Sequence, residues 1–157
     1  MSTAARIAGR GLRLAGALAF LAPLITRLVI GLTFHQTGHG KLLHLDKTAS
    51  YFTDLGIPFA SANAAFISTL EFVGGLCLIL GLGTRIFAFL LSCTMIVALL
   101  TAERGHFLEK FPTELTDVTP VALGLPLLWL VLYGPGSLSI DHWIRKKLGI
   151  PEQRDNI

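Results

Sequence analysis

The chain has 157 residues, of which 52% are hydrophobic and only 15% are charged, whereas charged residues make up about a quarter of a typical soluble domain. The mean hydropathy is +0.65, and the formal net charge is only +3. This composition excludes a disordered chain, a disulfide-rich secreted scaffold and a nucleic-acid-binding protein. It indicates one domain whose solvent is a lipid bilayer.

Four apolar stretches approach the roughly 20 residues that a helix needs to cross a bilayer. They lie at about 14–36, 64–82, 86–102 and 115–133. We therefore expect an all-α, four-helix transmembrane bundle at 14–149, with a cytoplasmic N-terminus at 1–13 and a cytoplasmic tail at 150–157. Pro120 and Pro126 fit a membrane helix, because neighbouring helices satisfy the carbonyl groups that proline leaves free.

Two amphipathic segments flank these stretches. The segment DKTASYFTDLG at 46–56 places its aromatic residues at helical spacing, which predicts an interfacial half-helix in the first outer connection. The segment SIDHWIRKKLG at 139–149 has one apolar and one basic face. We expect it to form a short helix on the cytoplasmic surface of the membrane.

The basic residues are distributed unequally between the two sides of the expected bundle. Four spans place both termini on one side, and eight basic residues lie there against four on the other side. The two groups are Arg6, Arg10, Arg13, Arg85, Arg145, Lys146, Lys147 and Arg154, and Lys41, Lys47, Arg104 and Lys110. The positive-inside rule then predicts a multi-pass protein of the plasma (inner) membrane with both termini in the cytoplasm.

Two charges of opposite sign lie deep in the apolar stretches, Arg27 in the first and Glu71 in the second. A charge at this depth is costly and usually faces the bundle interior with a partner. We expect the two side chains to form an ion pair, either as a stabilising contact or as part of a ligand or proton site. Gly74 and Gly75 would allow another helix or a flat ligand to approach closely.

The segment TFHQTGHGKLLH follows at the outer end of the first stretch. His35 and His39 share a face if the helix continues through it. Three interpretations stay open: a proton relay or a hydrogen-bonding site for a polar headgroup, plain interfacial histidines, or metal ligation. A metal would need further ligands from Glu114, Asp117 or His106, so His35 and His39 are only candidate ligands.

The polar residues of three helices converge in the outer half of the expected bundle, whereas the third helix carries no charge. We therefore place a candidate ligand-binding site there. Its residues are Arg27, His35, His39, Lys41, Glu71, Glu114 and Asp117.

Four segments together resemble the DoxX family of small four-helix membrane proteins. They are RLVIGLTFHQTGHGK at 27–41, LGIP at 55–58, EFVGGLCLILGLGTR at 71–85 and GPGSLSID at 134–141. The resemblance implies a four-helix bundle, and the family's recurrent polar positions correspond to Arg27, His35, Lys41, Glu71 and Arg85. It also implies a redox context, because some members are subunits of quinone-reducing complexes and others are linked to membrane oxidoreductase assemblies.

Two classes of function remain open. In the first, the chain is a redox-linked membrane subunit that binds a quinone supplied by the membrane, while a partner oxidoreductase subunit provides the electrons. Polar groups in an apolar bundle suit such a flat molecule, although the chain carries no cofactor motif of its own. In the second, it is a non-catalytic transporter, assembly factor or scaffold. Either class has the lipid bilayer as a partner, and a homo-oligomer is compatible with both.

The topology yields the first testable prediction. Reporter domains fused after Lys47, Thr84 and Gly149 should report outside, inside and inside, because each fusion point follows a different number of spans. The measurement is the activity of a reporter pair that is active on only one side of the membrane. An inside signal after Lys47 would contradict the predicted topology.

Overall fold

A computed structural model describes residues 20–149 of the chain. This part folds into seven α-helices and one 3-10 turn, and it contains no β-strand, which confirms the predicted all-α class. The helices are α1 (Leu21–Leu43), α2 (Leu45–Asp54), α3 (Ala60–Leu80), α4 (Thr84–Leu100), α5 (Arg104–Lys110), α6 (Thr119–Tyr133) and α7 (Ile140–Lys147), and the 3-10 turn is Leu115–Asp117.

Helices α1, α3, α4 and α6 correspond to the four apolar stretches. In the described part, α3 is long and apolar enough to cross a membrane by itself. Helices α4 and α5 qualify together, although the chain bends by 81° between them, and α6 is apolar but shorter. The arrangement in four spans therefore stays a prediction.

The first and the last long helix have boundaries that differ from the expected ones. The first helix continues to Leu43 instead of ending near residue 36, so Gly38 and Gly40 do not break it. The last long helix begins at Thr119, because Val118 is extended and Pro120 fits the first turn of a helix. The expected residues 14–19 of the first helix, and the two terminal segments 1–13 and 150–157, lie outside the described residues.

Helices α1 and α3 are antiparallel and approach each other at glycines. A Cβ atom added to Gly38 would lie 2.3 Å from the backbone nitrogen of Phe72, and one added to Gly75 would lie 2.4 Å from that of His35. A Cβ atom on Gly31 would lie 2.8 Å from the carbonyl oxygen of Gly75. The two backbones are therefore in direct contact at positions where any side chain would intervene.

The remaining long helices complete the bundle. Helix α4 packs along α6, and the two pairs share one core. The buried core side chains are Ile30, Phe34, Leu78, Ala88, Leu91, Leu127 and Leu130. Large apolar side chains cover much of the exterior, among them Ile25, Val29, Leu76, Phe89, Ile96 and Leu128. A protein in water rarely exposes so many, so this exterior fits a hydrocarbon environment.

Both amphipathic segments form helices, as expected. Helix α2 has no buried residue and lies against α3. Helix α7 is held at the turn between α3 and α4 by Asp141. Its carboxylate accepts hydrogen bonds from the backbone N–H of Gly83 at 2.7 Å and of Thr84 at 3.0 Å, and its own N–H donates to the carbonyl of Gly81 at 3.0 Å. The depth of the two helices in a membrane stays a prediction.

The contact between α1 and α3 can be tested with two alanine substitutions on the same helix. Gly38→Ala should lower the free energy of unfolding by about 1–3 kcal/mol, because the new methyl group must push two backbones apart. Gly40 has no heavy atom within 4 Å of an added Cβ. Gly40→Ala should therefore leave stability unchanged or raise it by up to about 1 kcal/mol through helix propensity. Equal effects of the two substitutions in detergent unfolding curves would contradict the close contact.

Candidate functional site

The carboxylate of Glu71 is the centre of the polar cluster between α1 and α3. Glu71 is 2% exposed. Its Oε1 accepts a hydrogen bond from Nζ of Lys41 at 2.5 Å, and its Oε2 accepts one from the hydroxyl of Thr37 at 3.2 Å. Thr37 and Lys41 are four residues apart on α1, so they present one face to the carboxylate. The buried negative charge is thus balanced by a cation whose side chain is 35% exposed.

The expected ion pair between Arg27 and Glu71 is wrong. Arg27 is buried at the opposite end of α1, where its Nη2 donates to the carbonyl of Leu138 and its Nε to that of Pro23 at 3.4 Å. Glu71 lies beside Gly38, eleven residues further along α1 than Arg27, which corresponds to about 16 Å. Because α1 continues to Leu43, Thr37 and Lys41 lie at the level of Glu71 in place of Arg27.

A cavity of about 780 Å³ adjoins the Lys41–Glu71 pair. All four long helices contribute to its walls, and α2 borders it with Lys47, Thr48 and Tyr51. Thr37, Lys41 and Glu71 form a polar patch in an otherwise largely apolar wall. Apolar wall residues include Phe34, Phe52, Ile67, Met95 and Leu123. The cavity has the volume and polarity that are usual for binding sites of small molecules.

His35 and His39 lie on one face of α1, as expected from the continued helix, and that face contacts Phe72. Nδ1 of His35 donates to the carbonyl oxygen of Phe72 at 3.1 Å, and the two rings stack with centroids 4.4 Å apart. The ring of His39 lies 6.0 Å from that of Phe72. Neither histidine lines the cavity. Within residues 20–149 no three His, Cys, Asp or Glu side chains form a group that could hold a metal ion.

Glu114 and Asp117 bind Lys110 instead of reaching the cavity. Lys110 contacts Glu114, and its Nζ lies 3.3 Å from the carboxylate of Asp117. The hydrogen bond to Glu114, reinforced by the one to Asp117, raises the pKa of Lys110. Of the seven candidate residues, the structure places Lys41 and Glu71 at the cavity. Arg27 lies at the other end of the bundle, and the two histidines lie against Phe72. Glu114 and Asp117 lie on an exposed loop.

Sequence reasoning missed several polar residues of the cavity wall, among them Thr37 and Glu103. Thr37 contacts Glu71 directly, and its spacing of four residues from Lys41 was the available signal. Glu103 follows α4 and lies at the cavity, 3.2 Å from Nδ1 of His106. Its position had no signal in the sequence, because Glu103 lies in the connection between α4 and α5, outside the apolar stretches.

Comparison with known proteins agrees with the apolar exterior. The family model described as DoxX matches residues 22–104. The chain belongs to the DoxX family. No solved structure matches it. The DoxX resemblance inferred from the sequence is thereby confirmed.

Curated relatives of this DoxX chain align over most of their lengths. It is 31% identical to "Putative oxidoreductase CatD" of Bacillus subtilis, over 80% of this chain and 89% of that protein. It is 30% identical to "Inner membrane protein YqjF" of Escherichia coli, over 79% and 92%. It is 32% identical to "Uncharacterized membrane protein Rv3486" of Mycobacterium tuberculosis, over 77% and 80%. These names support a membrane location for the chain.

The revised pairing makes a prediction that separates the two candidate partners of Glu71. Lys41→Met and Glu71→Leu should each destabilise the protein, because each leaves its partner without a counter-charge. The double variant should be more stable than the sum of the two effects implies, by about 0.5–3 kcal/mol. Half-exposure of Lys41 favours the lower part of this range. Arg27→Met combined with Glu71→Leu should instead be additive to within about 0.5 kcal/mol. Unfolding curves in detergent measure the stability of the single and double variants of both pairs. A non-additive effect of the Arg27 and Glu71 substitutions would contradict the axial position of α1 against α3.

Proposed function

We propose that this DoxX chain is a membrane subunit of a redox system and binds a quinone in the cavity beside Lys41 and Glu71. The observation that carries the proposal is a buried, charge-balanced hydrogen-bonding group that opens on a largely apolar cavity of about 780 Å³. A quinone has the complementary features, since it combines a flat apolar ring with two carbonyl oxygens. The name of the Bacillus subtilis relative, which describes an oxidoreductase, supports the same class.

The polar patch offers hydrogen bonds to one end of the ring. The ammonium group of Lys41 has three N–H donors, and Glu71 accepts one of them. The other donors remain for a quinone carbonyl, and the hydroxyl of Thr37 lies in the same patch. The apolar wall, with side chains such as Ile67 and Leu123, buries the ring and the start of its tail. Apolar surface therefore provides affinity, and the polar patch fixes the orientation.

Reduction of a quinone to its quinol takes up two electrons and two protons. We assign the two electrons to a partner oxidoreductase subunit and the two protons to water at the mouth of the cavity, beside the exposed Lys47. Lys41 and Glu71 would orient the ring oxygen and pass protons to it. This chain would thus hold the quinone and supply the polar environment, while the partner carries out electron transfer.

The proposal assigns a structural role outside the cavity to each remaining candidate residue. Arg27, at the inner end, holds the C-terminal segment; His35 and His39 support α1 against Phe72; Glu114 and Asp117 shape the outer loop through Lys110. In the membrane we propose a multi-pass arrangement with the cavity toward the outer face and both termini in the cytoplasm. That arrangement rests on the distribution of basic residues.

Binding of a short-chain quinone to the purified protein in detergent tests the proposal by calorimetry. Lys41→Met and Glu71→Gln should each weaken binding by about tenfold or more, since a hydrogen bond to a charged group contributes about 1.5–3 kcal/mol. Lys41→Arg, which keeps the charge and the donors, should retain most of the affinity.

Two substitutions outside the cavity serve as matched controls. Lys110→Met and Glu109→Gln make the same chemical changes on the outer loop, and neither residue lines the cavity. Both variants should bind the quinone as the unaltered protein does. Absence of binding in a folded, unaltered protein would overturn the proposal and favour a transporter or scaffold. Equal losses in the control variants would exclude the cavity as the site.

A further inference from the structure

Helix α7 has a fixed position at the inner end of the bundle, which is defined by the turn between α3 and α4 and the end of α6. Three hydrogen bonds link Asp141 to the backbone of this turn. Ser139 caps the helix by accepting from the N–H of His142 at 3.1 Å, and Arg27 donates to the carbonyl of Leu138. The amphipathic helix is therefore part of the fold, and its two faces have a defined orientation relative to the apolar bundle.

The last turn of α7 carries a positive charge that the described residues leave uncompensated. Arg145, Lys146 and Lys147 are consecutive, and within residues 20–149 none of them forms an ion pair. Asp141 is the one acidic side chain at this end of the described chain, and it points to the backbone of the turn. The same end also carries Arg85. The other acidic residues of the described part lie in α2, α3 and the connection from 103 to 117.

An exposed apolar surface accompanies these charges. Trp143 is 56% exposed and Leu148 is 67% exposed, although they belong to a helix that is docked on the protein. Nζ of Lys147 lies 4.1 Å from the centroid of the Trp143 ring, so the cation and the aromatic ring form one surface. The neighbouring ends of the long helices expose Ile86 and Leu132. Tryptophan beside lysine at the end of an apolar belt is typical of the membrane–water interface.

We propose that the basic and apolar surface of α7, formed by Arg145, Lys146, Lys147, Trp143 and Leu148, binds the headgroups of anionic phospholipids. Charge complementarity favours an anionic lipid, because each basic side chain near the membrane surface adds to the attraction between the protein and the negatively charged headgroups. The apolar side chains reach the acyl region beneath the headgroups. The inference is independent of quinone binding, since α7 does not line the cavity.

Quenching of Trp143 by brominated lipids tests this surface directly. The chain has two tryptophans, so Trp129→Phe leaves Trp143 as the single tryptophan, which can be excited selectively at wavelengths where tyrosine does not absorb. The protein is reconstituted in vesicles of phosphatidylcholine and phosphatidylglycerol in which either lipid carries the bromine at the same mole fraction. Brominated phosphatidylglycerol should quench at least about twofold more strongly, because three basic groups enrich anionic lipid near the ring. Raising the salt to about 1 M should reduce this excess.

Two charge variants complete the experiment. Combined Arg145→Gln, Lys146→Gln and Lys147→Gln should abolish the excess quenching while the protein still elutes as a folded species. Arg104→Gln with Lys110→Gln removes basic residues from the other end of the bundle and should leave the excess intact. Equal quenching by the two brominated lipids in the Trp129→Phe protein would overturn the proposal. An excess that persists in the triple variant, or an absence of quenching by both lipids, would also overturn it.

Discussion

The backbone contact between α1 and α3 determines where the two deeply buried charges, Arg27 and Glu71, lie relative to each other. Three glycines bring the two helices so close that a Cβ atom at Gly38 or Gly75 would overlap the facing backbone. Such a contact fixes the relative axial position of the helices, because neither can slide without placing a side chain where the glycine is. With this register, Lys41 and Thr37 face Glu71. The same register takes Arg27 to the far end, beside Gly81.

The two deeply buried charges are stabilised in different ways. Glu71 has a counter-ion and a hydroxyl donor, so its charge is balanced locally. Arg27 instead donates to two backbone carbonyls, and one of them belongs to the C-terminal segment 111 residues away. A buried charge needs compensation of one kind or the other. The first arrangement leaves Lys41 with free donors at a cavity, whereas the second connects α1 to the segment that precedes α7.

The two ends of the molecule consequently differ in chemistry. At one end a polar patch, a largely apolar cavity and α2 lie together, which suits an amphipathic small molecule. At the other end, α7 carries basic residues that form no ion pair within residues 20–149, together with exposed apolar side chains, and this combination suits a charged lipid surface. Membership of the DoxX family and the names of the relatives agree with a membrane protein. The quinone and lipid proposals concern separate ends and can be tested separately.

The sequence by itself determined the properties that depend on composition and on local spacing. These are the all-α class, the DoxX family, the two amphipathic helices and the common face of His35 and His39, since each follows from hydropathy, from motifs or from the helical period. Lys41 and Glu71 were also recognised individually as unusual polar residues.

Only the tertiary structure decided which of these residues meet. The partner of Glu71 depends on the axial register of two helices, and this register is set by glycines such as Gly31 and Gly38, which lie two helical turns apart on α1. Likewise, the attachment of Glu114 and Asp117 to Lys110 depends on the path of the chain from residue 110 to residue 117. Hydropathy locates the apolar stretches along the chain, but contacts between helices arise from shape complementarity of surfaces that are distant in sequence.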